Sequence, residues 1–346
     1  MATSTTSILA STTTSSATPS CTTAVPGKYG YLPPESCNAN WAYAPSFPAA
    51  IAFSTIFGIL TVAHLGLAIR FRKPFCWVMI MGVVWELASF VLRALGAHHQ
   101  DKLVYAFAST ILFLLAPLWI NAFVYMTAGR LIWTFHPLKK VWRLKAVSLA
   151  KYFVWLDVFS FLVQVVGGTM LSPGSSANTM KVGKNIYMTG VGVQQLFIVL
   201  FFALTVRFQI EVRRHEGRSG AVGTWFSGRW QAVTYAVYAS LVLISMRIIF
   251  RLLEFSAGTD TSNPLPYHEK YALALDAFPM AFAISILAVL HPGLALRGPE
   301  SEFPSRKERK AEKKRVKAEK KKAKEERKFK GQGYQGIGDN YQMTRV

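Results

Sequence analysis

Residues 231–258 read QAVTYAVYASLVLISMRIIFRLLEFSAG. From Ala232 to Leu253 this stretch is apolar enough, and long enough, to cross a bilayer as a helix. It also carries Arg247, Arg251 and Glu254, at i, i+4 and i+7, which places all three on one helix face. A charged side chain near the bilayer centre costs about 2.5–3.5 kcal/mol on insertion scales, so such residues face a bundle interior and pair there. The stretch therefore predicts a bundle whose other helices supply matching charges.

Six further apolar runs meet that expectation. With the first stretch they give spans at Phe47–Ile69, Phe75–Leu95, Leu103–Met126, Ala150–Leu171, Ile186–Val206, Ala232–Leu253 and Tyr271–Leu290. Each has the length that a tilted transmembrane helix needs. Backbone groups in lipid must be satisfied within the segment, so the fold class is an all-α polytopic membrane protein, a seven-transmembrane-helix bundle. The loops after the first, third and fifth runs hold 13 Lys and Arg, against 4 in the alternate loops. The positive-inside rule then predicts the N-terminus outside and the C-terminus cytosolic.

The predicted organisation has three parts. Residues 1–46 form an extracellular Ser/Thr-rich disordered segment, 47–293 the seven-helix domain and 294–346 a cytosolic basic tail. The first residues lack the basic start and apolar stretch of a cleaved signal peptide. Outside the cell they suit either an O-glycosylated stalk or plain disorder. Cys21 and Cys37 precede the first span and could pair there, while Cys76 sits in an apolar run and packs. The net charge of +21 is no argument for nucleic acid, because Arg306–Lys330 alone contributes 15 basic against 5 acidic residues. Next to a cytosolic membrane face that tail would attract anionic lipid; as a plain solubilising segment it would do nothing more.

Charges and polar groups recur inside the other spans. Glu86 and Arg93 lie at i, i+7 on the second, and Asp276 lies on the seventh. Asp157, Ser160 and Gln164 share a stripe of the fourth, and Asn121 and Tyr125 stand one turn apart on the third, after Pro117. Within the spans and their rim, Glu86, Asp157, Glu254 and Asp276 nearly balance Arg93, Arg247 and Arg251. Under the predicted orientation, Arg93, Arg247, Arg251, Glu254 and Asp276 form an outer cluster joining the second, sixth and seventh spans. That cluster reads equally as packing and register or as a gate, and Arg93 could instead snorkel to the interface. Asp157 and Glu86 have no basic partner at their own depth. Such carboxylates suit proton or cation binding, so Asp157, Glu86, Gln164 and Asn121 are the candidate substrate or proton site.

Catalytic signatures are missing. There is no GxxxxGK[ST] phosphate loop, no HExxH, no HxxxH and no CxxC, and the seven histidines are scattered. The expectation is a non-enzyme with no metal and no cofactor.

Several strings, taken in order, carry a resemblance. They are Tyr29-Gly-Tyr-Leu-Pro33, Glu86 followed by Arg93, LLAPLWINAFVYMTAGR from Leu114 to Arg130, and Asp157 with Gln164-x-x-Gly167-Gly168. Gly190 with Gln194 or Gln195, Arg247-x3-Arg251-x2-Glu254, Asp276 and His291-Pro292-Gly293 complete them. From about Tyr29 to Gly293 the chain resembles the fungal lipid-translocating exporters, seven-span proteins associated with aminocholesterol resistance and sphingoid long-chain-base export. The resemblance implies a plasma-membrane protein that moves, or protects against, amphipathic lipid-like molecules, with membrane lipids and an amphipathic lipid substrate as partners and no nucleic acid. The same layout suits a receptor or sensor that alters lipid asymmetry indirectly. Against that reading, the third span ends in Ala128-Gly129-Arg130 where Asp-Arg-Tyr would mark a receptor, and the seventh lacks Asn-Pro-x-x-Tyr.

Overall fold

The computed structural model describes residues 22–142, 144–171, 176–218, 227–256, 263–304, 307–311 and 314–323. Seven helical segments in it are long and apolar enough to cross a membrane. Helix α1 spans Phe47–Phe71, α2 Trp77–His98, α3 Leu103–Phe135, α4 Ala146–Met170, α5 Ala177–Arg218 and α6 Ser227–Ser256. The seventh crossing is composite: α7 (Glu269–Ala272), a π-helical turn (Leu273–Ala277) and α8 (Phe278–Val289). A two-residue antiparallel hairpin, β1 (Lys140–Val141) with β2 (Leu144–Lys145), precedes α4. The protein is thus an all-α, seven-span, multi-pass membrane protein.

Several helices outrun the apolar stretches that predicted them, α5 and α6 most of all. Polar helix-forming residues such as Arg207, Gln209, Glu211 and Arg213 continue α5 past the end of its apolar run. Hydropathy marks the part of a helix that suits lipid, whereas the backbone ladder continues while propensity allows. The helix starts are local. The Ser46 side chain caps α1 by accepting from the Ala49 N–H at 3.5 Å, and Pro48 occupies its first turn, where no N–H is needed. At its other end Arg72 takes a left-handed conformation, φ 52°, and closes the helix.

Consecutive helices pack as neighbours, α8 closes the ring against α1 and α6, and α3 also reaches α5 and α6. The middle of α3 is accordingly enclosed, with Ala116, Ile120, Phe123, Val124 and Tyr125 all buried. The outward faces carry exposed apolar side chains such as Ile59, Val62, Trp155 and Val242, as a lipid-facing surface requires. Helices α4 and α5 approach on small residues. A Cβ at Gly167 would strike the Tyr187 backbone N, and one at Gly183 would stand 2.9 Å from the Gly167 carbonyl O.

We call the end of the bundle where α1 starts the N-side, and the opposite end the C-side. Composition put residues 1–46 in a disordered segment. Residues 1–21, including Cys21, lie outside the described residues, but 22–46 run as an ordered cap on the N-side. Leu32 is buried and donates its N–H to Gln100 Oε1 at 3.0 Å, and Asn40 Nδ2 donates to the Gln100 carbonyl at 3.1 Å. Gly30, at φ +73°, lies so close to the His98 carbonyl that no side chain would fit. The Ser/Thr bias belongs to the first residues, whereas Leu32, Trp41 and Tyr43 give this later part apolar surface to bury. Cys37 is disulfide-bonded and Cys76 is free and buried.

The bundle closes as a compact unit at Leu296. The following unit, from Arg297, contains a short 3-10 turn at Pro299–Ser301 and exposed basic helix over residues 314–323, with an Arg315–Glu319 pair at 3.4 Å.

Candidate functional site

The α4 stripe faces inward and brings Asp157 against α3. Asp157 is 2% exposed, and its Oδ2 accepts from Asn121 Nδ2 at 3.0 Å and from the Tyr125 hydroxyl at 2.9 Å. The one-turn spacing of Asn121 and Tyr125 is what lets both reach the same oxygen. The Tyr125 ring is held between Phe153 and Phe201, at centroid distances of 5.7 and 4.4 Å. Asp157 Oδ1 is buried without a hydrogen-bond partner among the described residues, and no cationic side chain bonds either oxygen. Ser160, on the same stripe, bonds back to the Leu156 carbonyl at 2.9 Å and is satisfied within its own helix.

Two turns further along α4, Gln164 turns away from Asp157. Its Nε2 donates to Gln194 Oε1 on α5 at 2.8 Å. Gly190 makes this approach feasible, since a Cβ there would stand 2.8 Å from Gln164 Cγ. The two glutamines line a small enclosed cavity of about 20 Å³ together with Pro117, Tyr187, Arg247 and Arg251. That is room for a water-sized occupant, with polar groups on several walls to bind it.

On the N-side of this cavity, Arg247 and Arg251 converge on Asp276. Arg247 Nε bonds Asp276 Oδ1, Arg251 Nη2 lies 2.6 Å from Asp276 Oδ2, and Arg251 Nη1 lies 3.0 Å from Glu254 Oε2. Asp276 is fully buried and sits in the π-helical turn. Pro279 follows that turn and supplies no N–H to the normal ladder, which accounts for the widened turn there. Pro117 has a parallel effect on α3. It cannot donate to the Phe113 carbonyl one turn back, and Arg247 Nη2 takes up that freed oxygen at 3.3 Å. The sixth-span face therefore bridges α3, α6 and the seventh crossing.

The remaining candidates fall elsewhere. Arg93 does not join the Arg247, Arg251, Glu254 and Asp276 group. It pairs with Glu269 at 3.1 Å, bonds the Tyr43 hydroxyl and lies over the Trp41 and Tyr43 rings. Glu269 in turn accepts the Ser46 N–H at 2.7 Å, so this pair ties α2, the start of α1 and α7 together on the N-side. Glu269 lies beyond the last apolar run, where a search for partners inside the spans does not reach. Replacing Glu269 by alanine is expected to cost about 1.5–3 kcal/mol, the value of hydrogen bonds to a charged group. Thermal unfolding of the purified variant checks this, and an unchanged midpoint would show that the pair holds nothing.

Glu86 is fully buried on α2, with neither carboxylate oxygen hydrogen-bonded among the described residues. Arg247, Asp276 and Arg251 lie within electrostatic reach of it without a direct contact. Glu86 thus faces the arginine group rather than Asp157. Tyr125, Gln194 and Glu269 complete contacts that the candidate set lacked. Among the described residues, no group of three or more His, Cys, Asp or Glu is placed to hold a metal ion.

Known proteins of similar sequence match most of this chain. Residues 79–299 match the family described as RTA1 like protein. The probable lipid transporter atnI of Emericella nidulans is 42% identical over 311 residues, covering 87% of this chain and 81% of that protein. Protoporphyrin uptake protein 1 of Saccharomyces cerevisiae is 29% identical over 218 residues, 60% of this chain and 65% of that protein. The sphingoid long-chain base transporter RSB1 of the same yeast is 24% identical over 305 residues, 78% of each chain. No solved structure matches. With its seven spans and a match over most of its length, the chain belongs to the RTA1-like protein family.

Proposed function

We propose that this protein moves cationic, single-chain amphipathic lipids, such as sphingoid bases, across the membrane without ATP. The observation that carries this reading is the Asp157 carboxylate, buried in the bundle with one oxygen unpartnered and no cation bonded to it among the described residues. A buried carboxylate is costly unless something positive balances it. An ammonium head group or a proton would do so, and alternation between the two would couple lipid movement to a proton gradient. A sphingoid base is an amino alcohol, so Gln164 and Gln194 offer amide groups for its hydroxyls. The names of the relatives, lipid transporter and sphingoid long-chain base transporter, support the same substrate class. The protein acts as a carrier and not as an enzyme, in the plasma membrane. The N-side faces outward, in keeping with the 13 basic residues that follow the first, third and fifth apolar runs against 4 after the second, fourth and sixth. The basic tail beyond Arg306 rests on anionic lipid, at about 1 kcal/mol per basic residue near the surface.

The test uses purified protein in liposomes carrying a fluorescent sphingoid base, with and without a pH gradient. Protein-dependent movement between leaflets that responds to the gradient is expected. Absence of movement from folded protein would sink the carrier reading and favour a sensor of membrane lipids.

A further inference from the structure

Two cavities share a wall. The enclosed polar cavity is bounded by Leu118 on α3 and Phe161 on α4, and both residues also line a groove that opens sideways between α2, α3 and α4. The groove measures about 610 Å³, within the range of small-molecule sites. Trp77, Trp85, Trp119 and Trp155 line it, and Trp119 meets Trp77 and Trp85 edge-on at centroid distances of 5.4 and 5.7 Å. Lys151, the one charged lining residue among those described, is exposed at the C-side rim. An ammonium head would not rest beside it. On α4, Phe161 stands between Asp157 and Gln164, one turn from each. On α3, Leu118 precedes Asn121 by three residues. The wall therefore separates an aromatic, lipid-facing groove from the cavity that holds Gln164 and Gln194.

We propose that Leu118 and Phe161 form a lateral gate, and that the α2–α3–α4 groove binds the alkyl chain of a single-chain lipid while its polar head passes inward between them. The proposal rests on the carrier reading for the head group; the groove itself is argued from shape and lining. The chain never leaves an apolar setting, because the groove faces the bilayer along its length. Only the head changes surroundings, from the membrane to the Gln164–Gln194 pair, beside which Arg247 and Arg251 are already paired with Asp276 and Glu254. A second groove, between α5 and α6, supplies the contrast. It holds about 400 Å³ and is lined by Ile198, Phe202, Val242 and Met246, but it shares no residue with the polar cavity.

The experiment uses the full-length protein in liposomes and a sphingoid base with a photoactivatable group midway along its chain. Cross-links are expected on the groove faces of α3 and α4, and Val158→Trp, which fills the groove, is expected to reduce them about tenfold. Val242→Trp, in the α5–α6 groove, is expected to leave them unchanged. Phe161→Trp, which thickens the wall, is expected to keep the cross-links and slow leaflet exchange about tenfold. Leu118→Phe serves the same purpose should the first variant melt early. Cross-links confined to α5 and α6, no cross-links at all, or wild-type exchange in both wall variants would overturn the proposal. Cross-links in the groove with no exchange by the wild-type protein would sink the carrier reading and leave the chain site standing.

Discussion

Replacing Asp157 by asparagine is expected to abolish leaflet exchange of a sphingoid base and its response to a pH gradient, with little change in folding. The substitution keeps the shape of the side chain. The carbonyl oxygen of the new amide accepts from Asn121 Nδ2 and the Tyr125 hydroxyl as Oδ2 does now. What is lost is the negative charge, and with it the balance for an ammonium head or a proton. Removing an uncompensated buried charge also lowers a desolvation cost, so the variant should melt at or slightly above the wild-type temperature. Exchange is measured in liposomes and stability by thermal unfolding. Unimpaired exchange would show that Asp157 is neither the head-group nor the proton site. An inactive variant that also melts far below the wild type would instead assign Asp157 a packing role.

Replacing Asp276 by asparagine should have the opposite balance of effects. Asp276 is fully buried and serves two guanidinium groups, those of Arg247 and Arg251. Without its charge, two positive groups are left in the bundle, with Glu254 bonded to Arg251 and Glu86 out of contact among the described residues. Breaking a buried ion pair by removing one partner typically costs about 3–5 kcal/mol. The expected result is a large fall in melting temperature and in the amount of protein reaching the membrane. A normal yield with impaired exchange would mean that the group acts as a gate rather than as a fastening.

The spans were legible because hydropathy reports what suits lipid, and the inward face of α6 because Arg247, Arg251 and Glu254 repeat at helical spacing. Asp276 belonged with them on charge balance, and the structure places it there. Arg93 was the exception. Its carboxylate, Glu269, lies outside the apolar runs and far along the chain, and periodicity within one helix says nothing about which neighbour comes close. Gln164 shows the same limit. The stripe on α4 puts it on the Asp157 face, but Gly190 lets α5 come in beside it, so Gln194 and not Asp157 is its partner. The lateral groove was illegible altogether. Its walls are apolar on helices that are apolar nearly all round, so no alternation distinguishes residues facing lipid from those lining the groove.

The Arg247 and Arg251 arrangement also bears on how the protein is made. When α6 enters the membrane, its two arginines arrive ahead of Asp276, which follows 25 residues behind Arg251 in the chain. Until then Arg251 has Glu254 of its own helix at 3.0 Å, whereas Arg247 lacks its carboxylate. The Phe113 carbonyl freed by Pro117 is already in place on α3, so it can hold one guanidinium in the interval. A chain stopped after α6 is therefore a half-finished product with a marked weakness, one that membrane quality control could recognise and remove. Insertion of the seventh crossing then becomes the step that commits the nascent polypeptide to maturity.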